Sequence, residues 1–370
     1  MQLPFPRGPL SGLVRCWLSG ARAPDVDAAR DLLAGLPADV DPLTDDDVQL
    51  ALWIMYELHY RGFDDVDDCW EWDPDLLEVR AMVEAVFEQR LRELTAATVA
   101  SVLSAEGPLA ERLFSLTTDF DAPPLSRYVQ RHATREQVLE LLRQRSVYTL
   151  KEADPHTFVI PRLVGGPKVA MVEVQYDEYG SGRPERQHAR MFADTLEACG
   201  LSSEYGAYLD CLTGTALAVN NAMSLLALHR RLRGATVGHF AAVESTSATP
   251  SRRYADALTR LEFPPVATAY YDEHVEADSA HEQLAMRDVC ETLAATEPGM
   301  EAEIAFGAAV CLHLDALAAV ELLGAWTRAD ESGDDQTAAG ESVPDEVPDE
   351  VPDEVPDEVV DEVPDEVVVA

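Results

Sequence analysis

Apolar residues recur at three- and four-residue spacing over residues 48–60, 76–103, 135–145, 205–233 and 300–326, the period of helices with one face buried. Each stretch predicts a helix. Strand-like alternation flanked by Asn-Gly or Asp-Gly turns is nearly absent, so the predicted class is all-α. Proline-rich breaks at residues 122–125 and 154–167 interrupt the pattern. They predict an N-terminal helical portion, residues 1–125, packing on a main helical body, residues 126–329.

The pattern changes at the C-terminal end. From Val343 the chain reads VPDE four times, then VVDE, then VPDE again. Proline at every fourth residue removes helix donors and the paired acids repel, so residues 330–370 are expected to be an extended, disordered acidic tail. Of the formal charge of −40, this tail contributes 17 acidic residues and no Lys or Arg, which leaves −23 on the rest. Such a field repels phosphate surfaces, and neither nucleic acid nor membrane is expected as a partner. No uninterrupted run approaches the roughly 20 apolar residues needed to cross a bilayer. The N-terminal apolar residues are broken by Arg7, Arg15 and prolines, which is unlike a signal peptide, and a cytoplasmic protein is the expectation. The six cysteines are scattered without a CxxC pair, which argues against zinc, iron–sulfur and disulfide frameworks.

Candidate chemistry lies between Glu178 and His281. His274, Asp278 and His281 are separated by four and three residues, so on a helix they fall within roughly 60° of one another. Two imidazoles and a carboxylate can thereby converge; the alternative is a solvated polar face. In DEYGSGRPERQHARMF, Glu185 and His188 have the Glu-x-x-His spacing by which helix bundles present a carboxylate and an imidazole to a di-iron centre. Pro184 fits the first turn of a new helix there. Glu178 precedes this segment, and the glycines and proline between them imply a break that could turn Glu178 to the same centre. Glu244 follows the apolar run VGHFAAV, where an ionised carboxylate is costly unless paired or metal-bound; the bland reading is a helix-end glutamate bonded to Ser245 or Thr246. Oxygen donors with imidazoles and no thiolate suit iron, or manganese, better than copper(I) or structural zinc.

Glu, then ten residues on His, then a distant Glu, then His-x-x-x-Asp-x-x-His about thirty residues later resembles the ligand order of the heme-oxygenase-like di-iron oxidases and oxygenases. The bacterial iron-containing redox enzymes are the particular group, through IPRL (160–163), DEYGSG, HRRLRG (229–234), VGHFAAVESTS and EHVEADSAHE, with YELHYRGF and EWDPDLLEVR nearer the N-terminus. The resemblance implies a heme-oxygenase-like helical bundle. It implies Glu178, His188, Glu244, His274, Asp278 and His281 as ligands of two iron ions, with Glu185 an additional carboxylate found in some members and Glu152 a weaker candidate for a neighbouring acidic position. His156, His229 and His239 lack the ligand spacing and are expected in the core or around the ligands. Arg230, Arg231 and Arg233 are expected to pair with acids, or else to hold an anionic substrate. O2, a small organic substrate and a reductant are the implied partners, and a homodimer is among the expectations. Two other readings compete: a metal-free or heme-binding protein of the same fold, and a non-catalytic partner-binding helical protein. Heme needs one axial imidazole in an apolar slot and has no use for four carboxylates beside it.

Overall fold

Several helix starts are written locally, and the computed structural model places those of α2, α3, α4, α7 and α11 at residues 26, 46, 74, 135 and 214, each next to a side-chain cap. Asp73 accepts from the amides of Asp75 and Leu76 with Pro74 at the first helical position, the arrangement that satisfies exposed donors and presets the helical φ. The structure describes residues 1–37 and 39–337, without the side chains of 276–280 and 329–337. The helices are α1 (Pro9–Leu18), α2 (Val26–Ala34), α3 (Asp46–Glu57), α4 (Pro74–Ser104), α5 (Leu109–Asp119), α6 (Leu125–Arg131), α7 (Arg135–Thr149), α8 (Asp154–Thr157), α9 (Gly165–Glu178), α10 (His188–Ala198), α11 (Gly214–Leu228), α12 (Arg233–Thr246), α13 (Ala248–Arg260), α14 (Ala269–Gln283), α15 (Thr292–Thr296) and α16 (Glu301–Thr337). A π-helical segment, Leu284–Glu291, joins α14 to α15. No strand occurs among the described residues, and the all-α expectation holds.

Met1–Trp326 form one compact unit. Its apolar interior has three parts. The first joins α1, α3 and α4 to α11 through Trp17, Trp53, Phe87 and Leu225. The second lies among α9, α12, the π segment and α16. The third gathers α6, α7, α10, α13 and the start of α14 around Phe192, Tyr254 and Trp326. The N-terminal helices thus share their core with the later ones. The expected acidic repeat, from residue 338 onward, lies outside the described residues.

Two sequence expectations need correction. Residues 205–233 do not form one helix: Thr213 accepts from the Ala216 amide to start α11, and the extended backbone of His229 ends it, so Arg233 opens α12 afresh. Secondly, Pro298–Arg328 is by length and composition apolar enough to cross a bilayer. Counting uninterrupted runs missed it because Glu301, Glu303, His313, Asp315 and Glu321 punctuate the stretch. Here it is a core helix. Phe306, Val310 and Leu314 face the first apolar cluster while Ile304, Ala308 and Cys311 face the second.

Two close approaches set the frame of the site. Near its middle α12 lies against α16 backbone to backbone: a Cβ on Gly238 would fall on the Ile304 carbonyl, and one on Gly307 on the Ala235 carbonyl. Only hydrogen at both positions allows this approach. At the end of α9, Gly180 takes φ of +80°, and a Cβ there would strike the Arg183 carbonyl. That turn folds the chain back from Glu178 to His188.

Candidate metal centre

Five helix ends and faces deliver the donors. Glu152 follows α7 in a short turn in which Ala153 holds φ of +75°, a conformation that costs a non-glycine residue energy. Glu178 is the last residue of α9, and His188 the first of α10. Glu244 lies near the end of α12, while His274 and His281 stand two turns apart on α14. All six side chains are buried.

These residues form two donor sets. Glu152, Glu178, His188 and His274 each offer an atom within 4.8 Å of one another, and so do Glu178, Glu244 and His281. Glu178 belongs to both. Its Oε2 lies 2.9 Å from His188 Nδ1 and its Oε1 3.9 Å from His281 Nδ1, so one carboxylate turns an oxygen to each side. On the first side His274 Nε2 is 3.5 Å from Glu152 Oε1; on the second His281 Nδ1 is 3.4 Å from Glu244 Oε2.

Surrounding groups fix these donors. His274 Nδ1 lies 2.8 Å from the Tyr270 carbonyl one turn earlier. A carbonyl only accepts, so this nitrogen carries the proton and Nε2 keeps its lone pair for the centre. The Tyr270 hydroxyl donates to Glu152 Oε2 at 2.7 Å, and its ring packs on the His274 ring with centroids 4.4 Å apart. His281 Nε2 meets Asp177 Oδ2 at 3.3 Å, which leaves Nδ1 turned inward.

The donors fit a metal better than they fit one another. His188 Nδ1 and His281 Nδ1 are buried and make no hydrogen bond, although carboxylate oxygens stand 2.9 and 3.4 Å away. Ring nitrogens that face carboxylates without hydrogen-bond direction would be satisfied by a cation placed between them. Electrostatics agree. Burial works against a charge on His281, yet Glu244, Glu178 and Asp177 outweigh it and raise its pKa to about 9. His188 is likewise raised, burial being outweighed chiefly by Glu178. Burial favours a neutral Glu152, but His274, His188 and the Tyr270 hydroxyl hold its pKa below the ordinary value. The pocket therefore calls for positive charge, supplied by protons when no ion is bound.

Of the residues singled out from sequence, Glu178, His188, Glu244, His274 and His281 come together. The side chain of Asp278 lies outside the described residues. Glu185 does not join them. It is exposed in a 3₁₀ turn, Pro184–Arg186, and Gln187 breaks the backbone before α10 begins at His188. The Glu-x-x-His spacing therefore spans a break, and its two residues share no helix face. Glu152, expected only as a neighbouring acid, sits in the first donor set. Asp177 and Tyr270 were not anticipated, and their signal was present: an acid beside Glu178, and a tyrosine one turn before His274.

The other histidines stand apart. His156 Nε2 and His239 Nδ1 meet at 3.2 Å in the core, and burial pushes His156 down to about 4 and His239 well below its ordinary value. His229 pairs with Glu84 at 2.9 Å. Arg231 and Arg233 pair with Glu88 and Glu297, as expected of a basic stretch among acids.

Fold and site together define an all-α protein with a buried carboxylate–imidazole centre able to hold a metal ion. Residues 139–316 match the model of a family described as iron-containing redox enzymes, which bears out the resemblance carried by the motifs and with it the heme-oxygenase-like class. The chain is also 30% identical over 172 residues to a nitrosourea synthase from Streptomyces achromogenes subsp. streptozoticus, a match covering 46% of this chain and 36% of that protein's length. Two crystal structures of a CADD-like protein of unknown function from Nostoc punctiforme PCC 73102 align with TM-scores of 0.41 and 0.42 at 17% and 18% identity. They cover 65% of this chain and 94% and 97% of theirs.

Proposed function

We propose that this protein is a non-heme di-iron oxidase or oxygenase that uses O2 to oxidise a small organic substrate. The observation that supports the reading is Glu178, one carboxylate with an oxygen turned to each of two donor sets. Glu152, His188 and His274 would hold one ion and Glu244 and His281 the other, with Glu178 between them; Asp278, whose side chain lies outside the described residues, is a further candidate ligand by the motif resemblance alone. Manganese would suit the same donors. Iron(II) in both positions would supply electrons for O2 reduction, with a reductant restoring them.

The chain's own part is positioning and charge. Tyr270 orients Glu152 and His274, and Asp177 orients His281. Three carboxylates offset the charge of two cations, and burial keeps bulk water from the centre. The similarity to a protein named for a nitrosourea makes nitrogen-bearing small molecules the first substrates to try.

The test is metal content followed by oxygen consumption. Protein reconstituted anaerobically with iron(II) should retain about two ions per chain after desalting, with a Mössbauer spectrum of high-spin iron(II), and should consume O2 on mixing. A chain that retains no iron or manganese, or that binds heme with a Soret band, would overturn the proposal.

A further inference from the structure

In a chain of formal charge −40, one pair of helices is basic. α6 and α13 pack side by side, and they carry Arg127, Arg131, Arg252, Arg253 and Arg260 against a single acid, Asp256. With Arg135, Glu136 and Glu262, which adjoin these helices in the chain, the balance stays positive. Contacts between the two helices leave that charge uncompensated. Arg253 donates to the Ser126 hydroxyl at 3.0 Å, and Arg260 to the carbonyls of Val129 and Ala133 at 3.0 and 2.8 Å. All three acceptors are neutral. Asp256 accepts instead from the Gln130 side-chain amide at 2.7 Å. Among the described residues none of the five arginines is in a salt bridge, whereas Arg92, Arg231 and Arg233 each hold a carboxylate. Arg127, Arg131, Arg252 and Arg260 are exposed. Positive charge left open to water in so acidic a chain is available to a negative partner.

The inner side of α13 leads from this face to the metal centre. Tyr254, next in the chain to Arg253, is buried. Its ring packs on Tyr271 with centroids 5.6 Å apart, Tyr271 packs on Tyr270 at 5.0 Å, and Tyr270 on the metal donor His274 at 4.4 Å. Rings this close are in contact. At the outer end of the series the exposed Arg145 of α7 holds its guanidinium 5.8 Å from the Tyr254 ring centroid, which brings further positive charge to that side. Packed aromatic rings running from a basic face to a metal donor form a route along which single electrons can cross the protein.

We infer that the α6–α13 face docks a small acidic electron-carrier protein, the reductant that the proposed oxidase reading requires and on which this inference rests. Complementary charge steers such a carrier to the one basic pair of helices and sets its orientation there. Each carrier gives up one electron and is itself oxidised, and one iron(III) becomes iron(II); two carriers restore both ions, and no bond is made or broken. A nucleic acid would meet the same arginines, but its phosphate backbone runs on into the acidic field around them, where a compact carrier ends within the face.

A small acidic [2Fe–2S] ferredoxin is the probe. Its binding to the metal-free full chain is measured by calorimetry at about 0.15 M salt, where a Debye length of about 8 Å screens distant acids and spares groups in contact. The ferredoxin should bind, and about 1 M salt should abolish binding. Arg131→Glu with Arg252→Glu should weaken it about tenfold or more at an unchanged melting temperature, since both side chains are exposed, while the corresponding double lysine variant keeps it. In stopped flow, the iron-loaded, oxidised chain should oxidise reduced ferredoxin, and the double glutamate variant should do so more slowly by a similar factor, although dithionite reduces both forms alike. No binding, or equal binding by the double glutamate variant, overturns the inference. Tighter retention of a short DNA duplex by the same arginines assigns the face to nucleic acid and overturns it too, as does ferredoxin binding that appears only once residues 338–370 are removed. Ferredoxin binding to a chain that retains no iron overturns the di-iron reading alone.

Discussion

Replacing His281 by Ala removes the imidazole of the second donor set and leaves the first, Glu152, Glu178, His188 and His274, intact. Iron should fall from about two ions per chain towards one, measured by elemental analysis after desalting. Glu185→Gln should leave it unchanged, because that side chain is exposed and belongs to neither set. Loss of iron in the Glu185 variant would restore that residue to the centre. The pair shows what the sequence could and could not reveal. Two imidazoles on one continuous helix were legible, since helical period alone brings them to one side. Glu185-x-x-His188 misled because spacing says nothing about a backbone break at Gln187, and Glu152 was undervalued because a turn with positive φ at a non-glycine residue leaves no mark in the pattern. His281 also sets a pH signature. In the metal-free fold its pKa is raised from 6.5 to about 9. The protonated imidazole therefore contributes its full stability below about pH 6.5 and loses it as pH rises through about 9. Metal-free protein should melt progressively lower from pH 6.5 to 9.5. Iron-loaded protein should not follow that fall, because a ligating imidazole is already neutral. Parallel melting curves for the two forms would show that His281 is no ligand.

At the scale of elements, the apolar stripe over 76–103 gives α4 to within two residues at either end, whereas α7 and α16 run on past their stripes, from residue 145 to Thr149 and from residue 326 to Thr337; Asp73 with Pro74 and Thr134 with Gln137 cap the starts of α4 and α7. The break within 205–233 was hidden because the loop before Thr213 is itself rich in apolar residues, and neither it nor the basic turn after His229 carries a proline. The π segment after His281 was equally hidden: it depends on packing between α9 and α12, which no local pattern records. The crossing of α12 on α16 has a direct consequence. Gly238→Ala would place a methyl on the Ile304 carbonyl, and relief requires the two helices to part. Overpacking of this kind costs about 1–3 kcal/mol, so the melting temperature should drop by several degrees while far-UV circular dichroism stays helical. Because Glu244 lies under two turns further along α12, iron retention should weaken as well. Full stability in Gly238→Ala would mean that the approach is looser than the backbone geometry gives.

Across the whole molecule, the metal centre is braced by the part of the chain farthest from it in sequence. Glu57, at the end of α3, is wholly buried. It accepts from Lys151 Nζ at 2.9 Å and from the Tyr205 hydroxyl at 2.8 Å. Lys151 is itself buried and sits over the Tyr60 ring at 4.1 Å. Next to it in the chain is Glu152, so the ion pair fixes the turn that presents a metal donor. The pair adds to the shared apolar core through which the N-terminal helices pack on the later ones. The sequence could mark Lys151 and Glu57 only as isolated charges, ninety-four residues apart. Replacing Glu57 by Ala strands the lysine ammonium in the interior and leaves a hydroxyl without its acceptor. Breaking a buried pair in this way costs about 3–5 kcal/mol, far more than an exposed pair such as Arg30 with Glu78, whose loss should cost about 1 kcal/mol or less. Chemical denaturation of the metal-free forms should separate the two variants by that margin. Iron titration of Glu57→Ala under conditions where it remains folded should show the first donor set, which contains Glu152, weakened more than the second. Replacing Lys151 by Met in the Glu57→Ala background removes the stranded charge and should recover much of the stability without restoring iron affinity, because an apolar side chain no longer ties Glu152 to α3. Recovery of both together would show that the pair serves the fold and has no part in presenting Glu152.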